Sequence, residues 1–273
     1  MQCRAQFTLI QPLSCTNHGA SLIKGKPPFR LAVRPRKAVE FGTIRVSSSH
    51  DSGIALMNIE QARFNMVEQQ IRPWEVLDIT VLDLLYEVRR EDFVPEAWRS
   101  LAFVDMEIPL ALGETMLSPK LEARLLQELR LKKSDRVLEV GTGSGYMAAL
   151  LGRLAASVTS VEIHPELAAR AARTLKAHGH DNVQVEVGDA AQGWRPGTQW
   201  DVIVLTGSVP ILPQSFLDAI APGGCLLAVV GDAPAMEVVR WKQDERGALR
   251  AEALFETVIP PLHHALQPAR FQF

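Results

Sequence analysis

Apolar residues recur at helical spacing in three segments of the N-terminal half of the chain. The first lies within residues 57–71, and the second spans 78–91 with Asp78 as its N-cap. The third is 121–130. Between the second and the third, residues 91–120 follow no regular period and are interrupted by prolines and glycines. The pattern predicts a helical cap that contains one irregular segment.

From residue 131 onwards, apolar strand-like runs alternate with helical segments. The predicted strands are 136–140, 157–163, 182–187, 200–207 and 225–231, and the predicted helices are 147–155, 165–179 and 213–220. Such alternation indicates parallel strands joined by right-handed crossovers, with helices on both faces of the sheet. Residues 240–259 add two strands joined at Gly247, which we expect at an antiparallel edge. The predicted fold class is α/β, a doubly wound sheet with a helical N-terminal cap and antiparallel edge strands.

The charge is unevenly distributed along the 273 residues. Residues 1–56 hold eight Lys and Arg against two Asp and Glu, a net charge of +6, whereas the remainder holds 21 bases and 29 acids, a net charge of −8. The N-terminal part lacks helical or alternating periodicity, so we predict a disordered basic leader over 1–56. An organelle transit peptide, or translated upstream sequence before a start at Met57, are the alternatives.

The rest of the chain, 57–273, is predicted to be a single domain. It divides into a helical cap with a substrate-side segment (57–130), a ligand-binding core (131–231) and C-terminal strands (232–273). The net charge of −2 argues against a nucleic-acid partner, and no apolar run reaches the roughly 18 residues of a membrane span. We predict no metal site, because the three cysteines lack CxxC spacing and adjacent side chains such as His263 and His264 rarely share one metal ion. We expect a cytoplasmic protein.

The loop after the first predicted parallel strand is rich in glycine. It reads Gly-Thr-Gly-Ser-Gly over 141–145, where the absence of Cβ atoms lets the backbone approach a ligand. The third glycine comes one residue too early for the dinucleotide motif GxGxxG, and position 146 is Tyr. No Lys-Ser or Lys-Thr follows, as a Walker A loop requires. The loop is therefore not typical of NAD, FAD or nucleoside triphosphate sites, although a tight turn alone would also explain it.

Acidic residues end the next two predicted strands. Glu162 follows Gly145 by seventeen residues, where a carboxylate can accept hydrogen bonds from both hydroxyls of a ribose. Asp189 follows the third strand, where it can meet an adenine amino group. Either acid alone would be a solvated strand end, but three loops in register predict a site for adenosine without pyrophosphate, as in S-adenosylmethionine. The predicted cofactor-binding residues are Glu139, Gly141, Thr142, Gly143, Gly145, Glu162, Asp189 and Ala190.

The same stretch resembles the cofactor segment of the protein-L-isoaspartate O-methyltransferases. The resemblance covers roughly residues 57–262. The stretches that carry it include VLEVGTGSGYMAALLGRLAASVTSVEIHPELAARAARTL (137–175), NVQVEVGDAAQGW (182–194), MVEQQI (66–71), FVP (93–95) and AFVDMEIPLALGETMLSP (102–119). GTGSGY together with GDAAQG is fairly specific, and FVP followed by the region 105–109 separates this family from other methyltransferases.

This resemblance implies a Rossmann-like S-adenosylmethionine-dependent methyltransferase fold. It further implies methyl transfer to the free α-carboxylate of L-isoaspartyl residues, which initiates the repair of damaged proteins. Such a carboxylate has a pKa of about 4, so it is ionised at pH 7 and needs no general base to attack the sulfonium methyl. Its rate would come from holding the two reactants at attack distance. The implied partners are isoaspartyl proteins or peptides, and we expect a monomer because both sites fit in one chain.

The acceptor side departs from the family. The family reads Gly-Gln-Thr-Ile-Ser-Gln-Pro where this chain reads Gly-Glu-Thr-Met-Leu-Ser-Pro over 113–119, so the catalytic serine falls on Leu117 and Glu114 places a negative charge near an anionic acceptor. Ser118 and Thr115 are the predicted catalytic hydroxyls that orient the acceptor, with a helix N-cap as the alternative role of Ser118. Two further functions stay open: a methyltransferase for another acceptor, and a cofactor-binding pseudoenzyme.

Overall fold

The computed structural model describes residues 58–244 and 246–269, and the predicted basic leader lies outside the described residues. Asp78 caps the second helix as predicted, because its side chain accepts a hydrogen bond from the Thr80 backbone N–H at 2.8 Å. The α-helices of the cap are α1 (Ile59–Asn65), α2 (Ile79–Glu87) and α3 (Pro119–Leu129). A π-helical turn at Met66–Ile71 continues α1, and 3-10 turns lie at Arg72–Trp74, Arg90–Asp92, Glu96–Leu101 and Ala111–Gly113.

A small hairpin lies in the segment that the sequence left without regular structure. Its strands are β1 (Ile108–Pro109) and β2 (Thr115–Met116), paired antiparallel with Pro109 opposite Thr115. Strands of two residues leave no periodic pattern, so the hydropathy of the segment could not predict them. The hairpin fixes the position of Thr115 directly before α3.

A seven-stranded sheet forms the centre of the domain, in the order β5-β4-β3-β6-β7-β8-β9. Neighbouring strands from β5 to β7 pair parallel, and β8 and β9 follow antiparallel at one edge. The α/β class and its antiparallel edge are confirmed. The elements are β3 (Arg136–Val140), α4 (Tyr146–Leu154), β4 (Ser157–Glu162), α5 (Pro165–Ala177), β5 (Val183–Val187), β6 (Trp200–Leu205), α6 (Gln214–Asp218), β7 (Ile220–Asp232), β8 (Ala235–Gln243) and β9 (Leu249–Glu256).

The boundaries of the edge strands differ from the prediction. Strand β7 already begins at Ile220 instead of residue 225, and β8 begins at Ala235 instead of residue 240. The chain reverses tightly between them, with Asp232 opposite Ala235. The two long strands stay paired up to this turn, which consists of Ala233 and Pro234.

Both faces of the sheet are buried under apolar clusters, and the strand order creates a crevice at the strand ends. Along β3, Val137 joins the apolar cluster on the side of the helical cap, whereas Leu138 joins the cluster on the opposite face. The chain leaves β3 towards β4 and later returns to the other side of β3 as β6. The loops that follow β3 and β6 therefore diverge, and ligands of doubly wound sheets bind at such a point.

Candidate active site

An open cleft lies at the carboxyl ends of the parallel strands. The glycine loop at the end of β3 and the C-terminal residues 260–263 both contribute to its wall. Further wall residues lie at 114–117, 161–163, 188–191 and 206–207, together with Glu122 and Met147. The cleft thus faces both the predicted cofactor loops and the segment in which the acceptor-side hydroxyls were predicted.

Six of the eight predicted cofactor residues line this cleft, namely Gly141, Thr142, Gly143, Glu162, Asp189 and Ala190. Glu139 and Gly145 do not line it. Glu139 is fully buried beneath the loop, and a Cβ on Gly145 would come within 3.2 Å of Ala171 on α5. Glu139 and Gly145 thus lie beneath the loop, outside the cleft wall, and their role as cofactor-binding residues stays a prediction. Alternation along β3 places Glu139 on the same face as Val137, the face of the helical cap.

The Glu162 carboxylate connects two of the cofactor loops. Its Oε2 accepts a hydrogen bond from the Gly143 backbone N–H at 2.8 Å, and its Oε1 accepts one from the His164 backbone N–H at 3.1 Å. A carboxylate offers about four acceptor positions, so each oxygen keeps one for a ligand. Glu162 is thus fixed in orientation and still able to bind a diol.

Gly141 is a position that only glycine fits. Its φ of +103° lies in the left-handed region, and a Cβ there would approach the Thr206 hydroxyl to 2.5 Å. That hydroxyl donates a hydrogen bond to the Gly141 carbonyl at 2.6 Å and also reaches the Val140 carbonyl. The loop and the turn after β6 therefore hold each other in place across the crevice.

A buried polar chain runs beneath the glycine loop from Glu139. The Ser160 hydroxyl lies 2.6 Å from Glu139 Oε2 and 2.5 Å from Thr142 Oγ1, so it connects the strand to the loop. Glu139 Oε1 has no hydrogen-bond partner among the described residues. Burial raises the pKa of Glu139 to about 8, the nearby acids Glu122 and Glu162 add to this effect, and the bond from Ser160 opposes it. A neutral carboxyl therefore supports the loop at pH 7.

Glu139→Gln should make the protein more stable at high pH. With a pKa raised from 4.5 to about 8, native Glu139 keeps a proton that the unfolded chain has lost, so wild-type stability falls as pH rises through this range. The glutamine amide of the variant does not titrate. The difference between the free energies of unfolding of the variant and of wild type should therefore shift in favour of the variant by about 2 to 3 kcal/mol between pH 6 and pH 9. Urea unfolding at both pH values measures this. A difference that is the same at both pH values, as expected for the exposed control Glu166→Gln, would contradict the assignment.

The predicted acceptor-side hydroxyls occupy different environments. Thr115 and Leu117 both line the cleft, and Leu117, at 6% exposure, also belongs to the apolar core. Ser118 is half-buried and is not part of the cleft wall. It occupies the N-cap position of α3, but within the described chain its hydroxyl makes no capping hydrogen bond. Of the two predicted residues, Thr115 is therefore the one in the cleft wall.

Arg90 and Glu122 form a buried ion pair that the sequence analysis missed. Arg90 is 1% exposed and donates hydrogen bonds to the Glu122 carboxylate, to the Leu117 carbonyl at 2.6 Å and to the Ala102 carbonyl at 3.0 Å. Its guanidinium lies 5.1 Å from the centre of the buried Tyr146 ring. Burial raises the pKa of Glu122 to about 7, although the charge of Arg90 opposes this. The pair fixes the backbone of the acceptor side, and Glu122 itself reaches the cleft.

The C-terminal histidines also contribute to the site. Hydrogen bonds join the Ser208 backbone to the carbonyl of residue 260 and to the N–H of residue 262, so the segment lies across the cleft. His263 Nε2 then comes 2.6 Å from Glu114 Oε1, and His264 Nδ1 comes 2.7 Å from Asp189 Oδ2. The hydrogen bond from His264 is the main cause that lowers the pKa of Asp189.

His164 reaches the same Glu114 oxygen from the turn after β4, at 3.1 Å. The sequence placed no function on His164 or on the C-terminal pair, because no local motif connects residues 114, 164 and 263. The sequence indicated a functional position only for His164, which follows Glu162 by two residues at the end of a strand where ligands bind.

Comparison with known proteins decides the family. A sequence profile described as Protein-L-isoaspartate(D-aspartate) O-methyltransferase (PCMT) matches residues 61–265. The chain belongs to this family. The PCMT relatives include protein-L-isoaspartate O-methyltransferase 1 of Rhodopseudomonas palustris (strain HaA2), 41% identical over 201 residues that make up 73% of this chain and 82% of the relative. A protein-L-isoaspartate O-methyltransferase of Methanoculleus marisnigri is 40% identical over 65% of this chain and 81% of its own length.

Solved structures confirm the PCMT methyltransferase fold. A crystal structure from Plasmodium falciparum, described as a beta-aspartate methyltransferase (PCMT) in complex with S-adenosyl-L-homocysteine, has a TM-score of 0.63. It is 21% identical, and the match covers 72% of this chain and 96% of that chain.

None of the helices within 58–244 and 246–269 combines the length and the apolar character that crossing a membrane requires.

Proposed function

We propose that this protein transfers the methyl group of S-adenosylmethionine to the free carboxylate of L-isoaspartyl residues, the step that initiates repair of damaged proteins. The observation that carries the proposal is the single cleft in which Gly143, Glu162 and Asp189 face Thr115 and Leu117. The names of the relatives support this acceptor, and the bound product in the P. falciparum neighbour supports this donor.

The donor fits the polar groups at the strand ends. Each oxygen of Glu162 has one acceptor position left for a ribose hydroxyl, and Asp189 can accept a bond from an adenine amino group. The backbone at Gly141 and Gly143 lets the nucleoside approach closely. When bound, S-adenosylmethionine supplies an electrophilic methyl group on a positively charged sulfur. The residues of this chain bind and orient it.

The acceptor side needs positioning groups and no base. An isoaspartyl carboxylate is ionised at pH 7, because the ordinary pKa of a carboxyl is about 4. Thr115 offers a hydroxyl that can donate one hydrogen bond to it, and Leu117 offers an apolar surface that excludes water. The Arg90 bond to the Leu117 carbonyl holds this wall rigid. Placing the two reactants at attack distance then supplies most of the rate.

Leu117 favours a second candidate, a methyltransferase with another acceptor. Leu117 belongs to the cleft wall, at the position where the family serine would donate a hydrogen bond to the carboxylate. An apolar group there suits an acceptor with less charge. A pseudoenzyme that only binds the cofactor is the remaining alternative.

Methyl transfer to an isoaspartyl peptide and to its aspartyl twin tests the proposal. We expect wild type to form a labile methyl ester only on the isoaspartyl peptide. Leu117→Ser should lower the KM for that peptide about threefold to tenfold, because it adds one hydrogen bond of about 1 kcal/mol. Leu117→Ala is the matched control and should give no such gain.

Three other results would contradict this proposal in different ways. Transfer by Leu117→Ser but not by wild type would favour another natural acceptor. Equal transfer to both peptides would remove the isoaspartyl specificity. Cofactor binding without transfer by either protein would indicate the pseudoenzyme.

We also propose that the methyltransferase domain is residues 57–273, acting as a cytoplasmic monomer without a nucleic-acid partner. The family match over 61–265 supports the domain, and a cleft whose donor and acceptor walls both come from one chain supports the monomer. The net charge of −2 supports the absence of nucleic-acid binding. Sedimentation of the purified protein tests the oligomeric state.

A further inference from the structure

Three potential metal ligands from distant parts of the chain converge at the cleft. Glu114 precedes β2, His164 lies between β4 and α5, and His263 belongs to the C-terminal segment. Their ligand atoms all lie within 4.8 Å of one another. Glu114 Oε1 is 3.1 Å from His164 Nε2 and 2.6 Å from His263 Nε2. Glu114 and His263 also line the cleft.

This donor set suits a transition metal. Two imidazoles with one carboxylate form the protein ligands of catalytic zinc sites, in which a fourth position stays open for water or substrate. Bonds of about 2.1 Å in tetrahedral geometry place ligand atoms roughly 3.4 Å apart. The 3.1 Å distance to His164 is close to this value, whereas the 2.6 Å distance to His263 is about 0.8 Å shorter, so His263 has to move away from Glu114 to admit an ion.

The electrostatics of the cleft independently favour a cation. The described residues that line it include four acids, Glu114, Glu122, Glu162 and Asp189, and no lysine or arginine. Arg90 is bonded to Glu122, and Glu162 and Asp189 are assigned to the cofactor, so Glu114 is the acid whose negative charge faces an acceptor that is itself an anion. A fixed positive charge beside Glu114 would remove this repulsion.

We propose that Glu114, His164 and His263 bind one Zn²⁺ ion at the mouth of the cleft, with its open position directed to the acceptor carboxylate. The role towards the acceptor rests on the proposed function, whereas the binding site does not. The ion neutralises Glu114, the residue that stands where the family has an uncharged glutamine, and so makes that departure compatible with an anionic substrate.

Calorimetric titration of Zn²⁺ into the full chain tests the site. We expect one ion per chain, with affinity weakened at least tenfold by His263→Asn and equally by Glu114→Gln, because each variant removes one ligand. His264→Asn is the matched control, because the His264 imidazole is adjacent in sequence to His263 but contacts Asp189 and none of the three proposed ligands. This variant should change the affinity for Zn²⁺ less than twofold. Unchanged melting temperatures show that the half-exposed variants remain folded.

Two outcomes of the titration would overturn the site. One is the absence of Zn²⁺ binding by wild type. The other is a loss in His264→Asn as large as that in His263→Asn, which would indicate adventitious binding by exposed histidines.

Methyl transfer with and without Zn²⁺ separates the site from the proposed function. After chelation, the KM for an isoaspartyl peptide should rise at least fivefold while the affinity for S-adenosylmethionine stays unchanged. Site-specific Zn²⁺ binding without any isoaspartyl transfer would overturn the proposed function and keep the site. Transfer by a protein that does not bind Zn²⁺ would keep the function and overturn the site. Specific binding with an unchanged KM would overturn the role towards the acceptor.

Discussion

Glu162→Ala is expected to weaken the binding of S-adenosylmethionine by at least 100-fold. The substitution removes the carboxylate that we assign to both ribose hydroxyls, and each hydrogen bond to a charged group contributes about 1.5 to 3 kcal/mol. It also removes the bonds that hold the N–H groups of Gly143 and His164, so the glycine loop loses its connection to the end of β4. Calorimetry with S-adenosylmethionine measures the affinity.

Glu166→Ala is the matched control for this loss. Glu166 is an exposed acid in the first turn of α5, four residues after Glu162. Its removal changes the charge of the region by the same amount, and the affinity should stay within about twofold. Equal losses in both variants would indicate a general electrostatic effect and contradict a direct contact by Glu162.

Arg90→Met should lower the free energy of unfolding by about 3 to 5 kcal/mol. Removing one partner of a buried ion pair leaves the other charge without compensation, and Glu122 is only 3% exposed. The variant also loses the bonds to the carbonyls of Leu117 and Ala102. Because a neutral Glu122 carboxyl costs less to bury than a carboxylate, the loss should be larger at pH 8 than at pH 5. Urea unfolding at the two pH values measures both effects.

Two further variants separate the causes of this destabilisation. The double variant Arg90→Met/Glu122→Leu should recover much of the lost stability, since it buries no charge. Arg153→Met removes an ion pair with Glu87 whose partners are both more than half exposed, and it should cost less than about 1 kcal/mol. If the double variant is no more stable than Arg90→Met alone, the loss comes from the missing hydrogen bonds to the carbonyls of Leu117 and Ala102. That result would contradict the explanation by an unpaired charge.

Much of the core could be predicted because its signals are local. Three of the five residues in the run 136–140 are apolar, the glycines at 141–145 follow it directly, and Glu162 ends the next strand, so a parallel sheet brings them to one edge. Glu139 lies outside the cleft wall, because sequence spacing does not reveal which strand residues reach the cleft, and its role as a cofactor-binding residue stays a prediction.

The acceptor side could not be predicted in the same way. The hairpin around Thr115 consists of two-residue strands. Arg90, in the 3-10 turn Arg90–Asp92, contacts Glu122 of α3 only in the folded chain. His263 lies 149 residues after Glu114, and their contact depends on the hydrogen bonds that Ser208 makes with the C-terminal segment. Such long-range contacts between polar residues leave no period in the sequence.

A crystal structure of the protein with S-adenosyl-L-homocysteine is the most direct test of the account. We expect both ribose hydroxyls on Glu162, the adenine amino group on Asp189 and the sulfur directed towards Thr115 and Leu117. A ligand seated in another cavity, or one whose ribose lies away from Glu162, would contradict the assignment of this cleft as the site of methyl transfer.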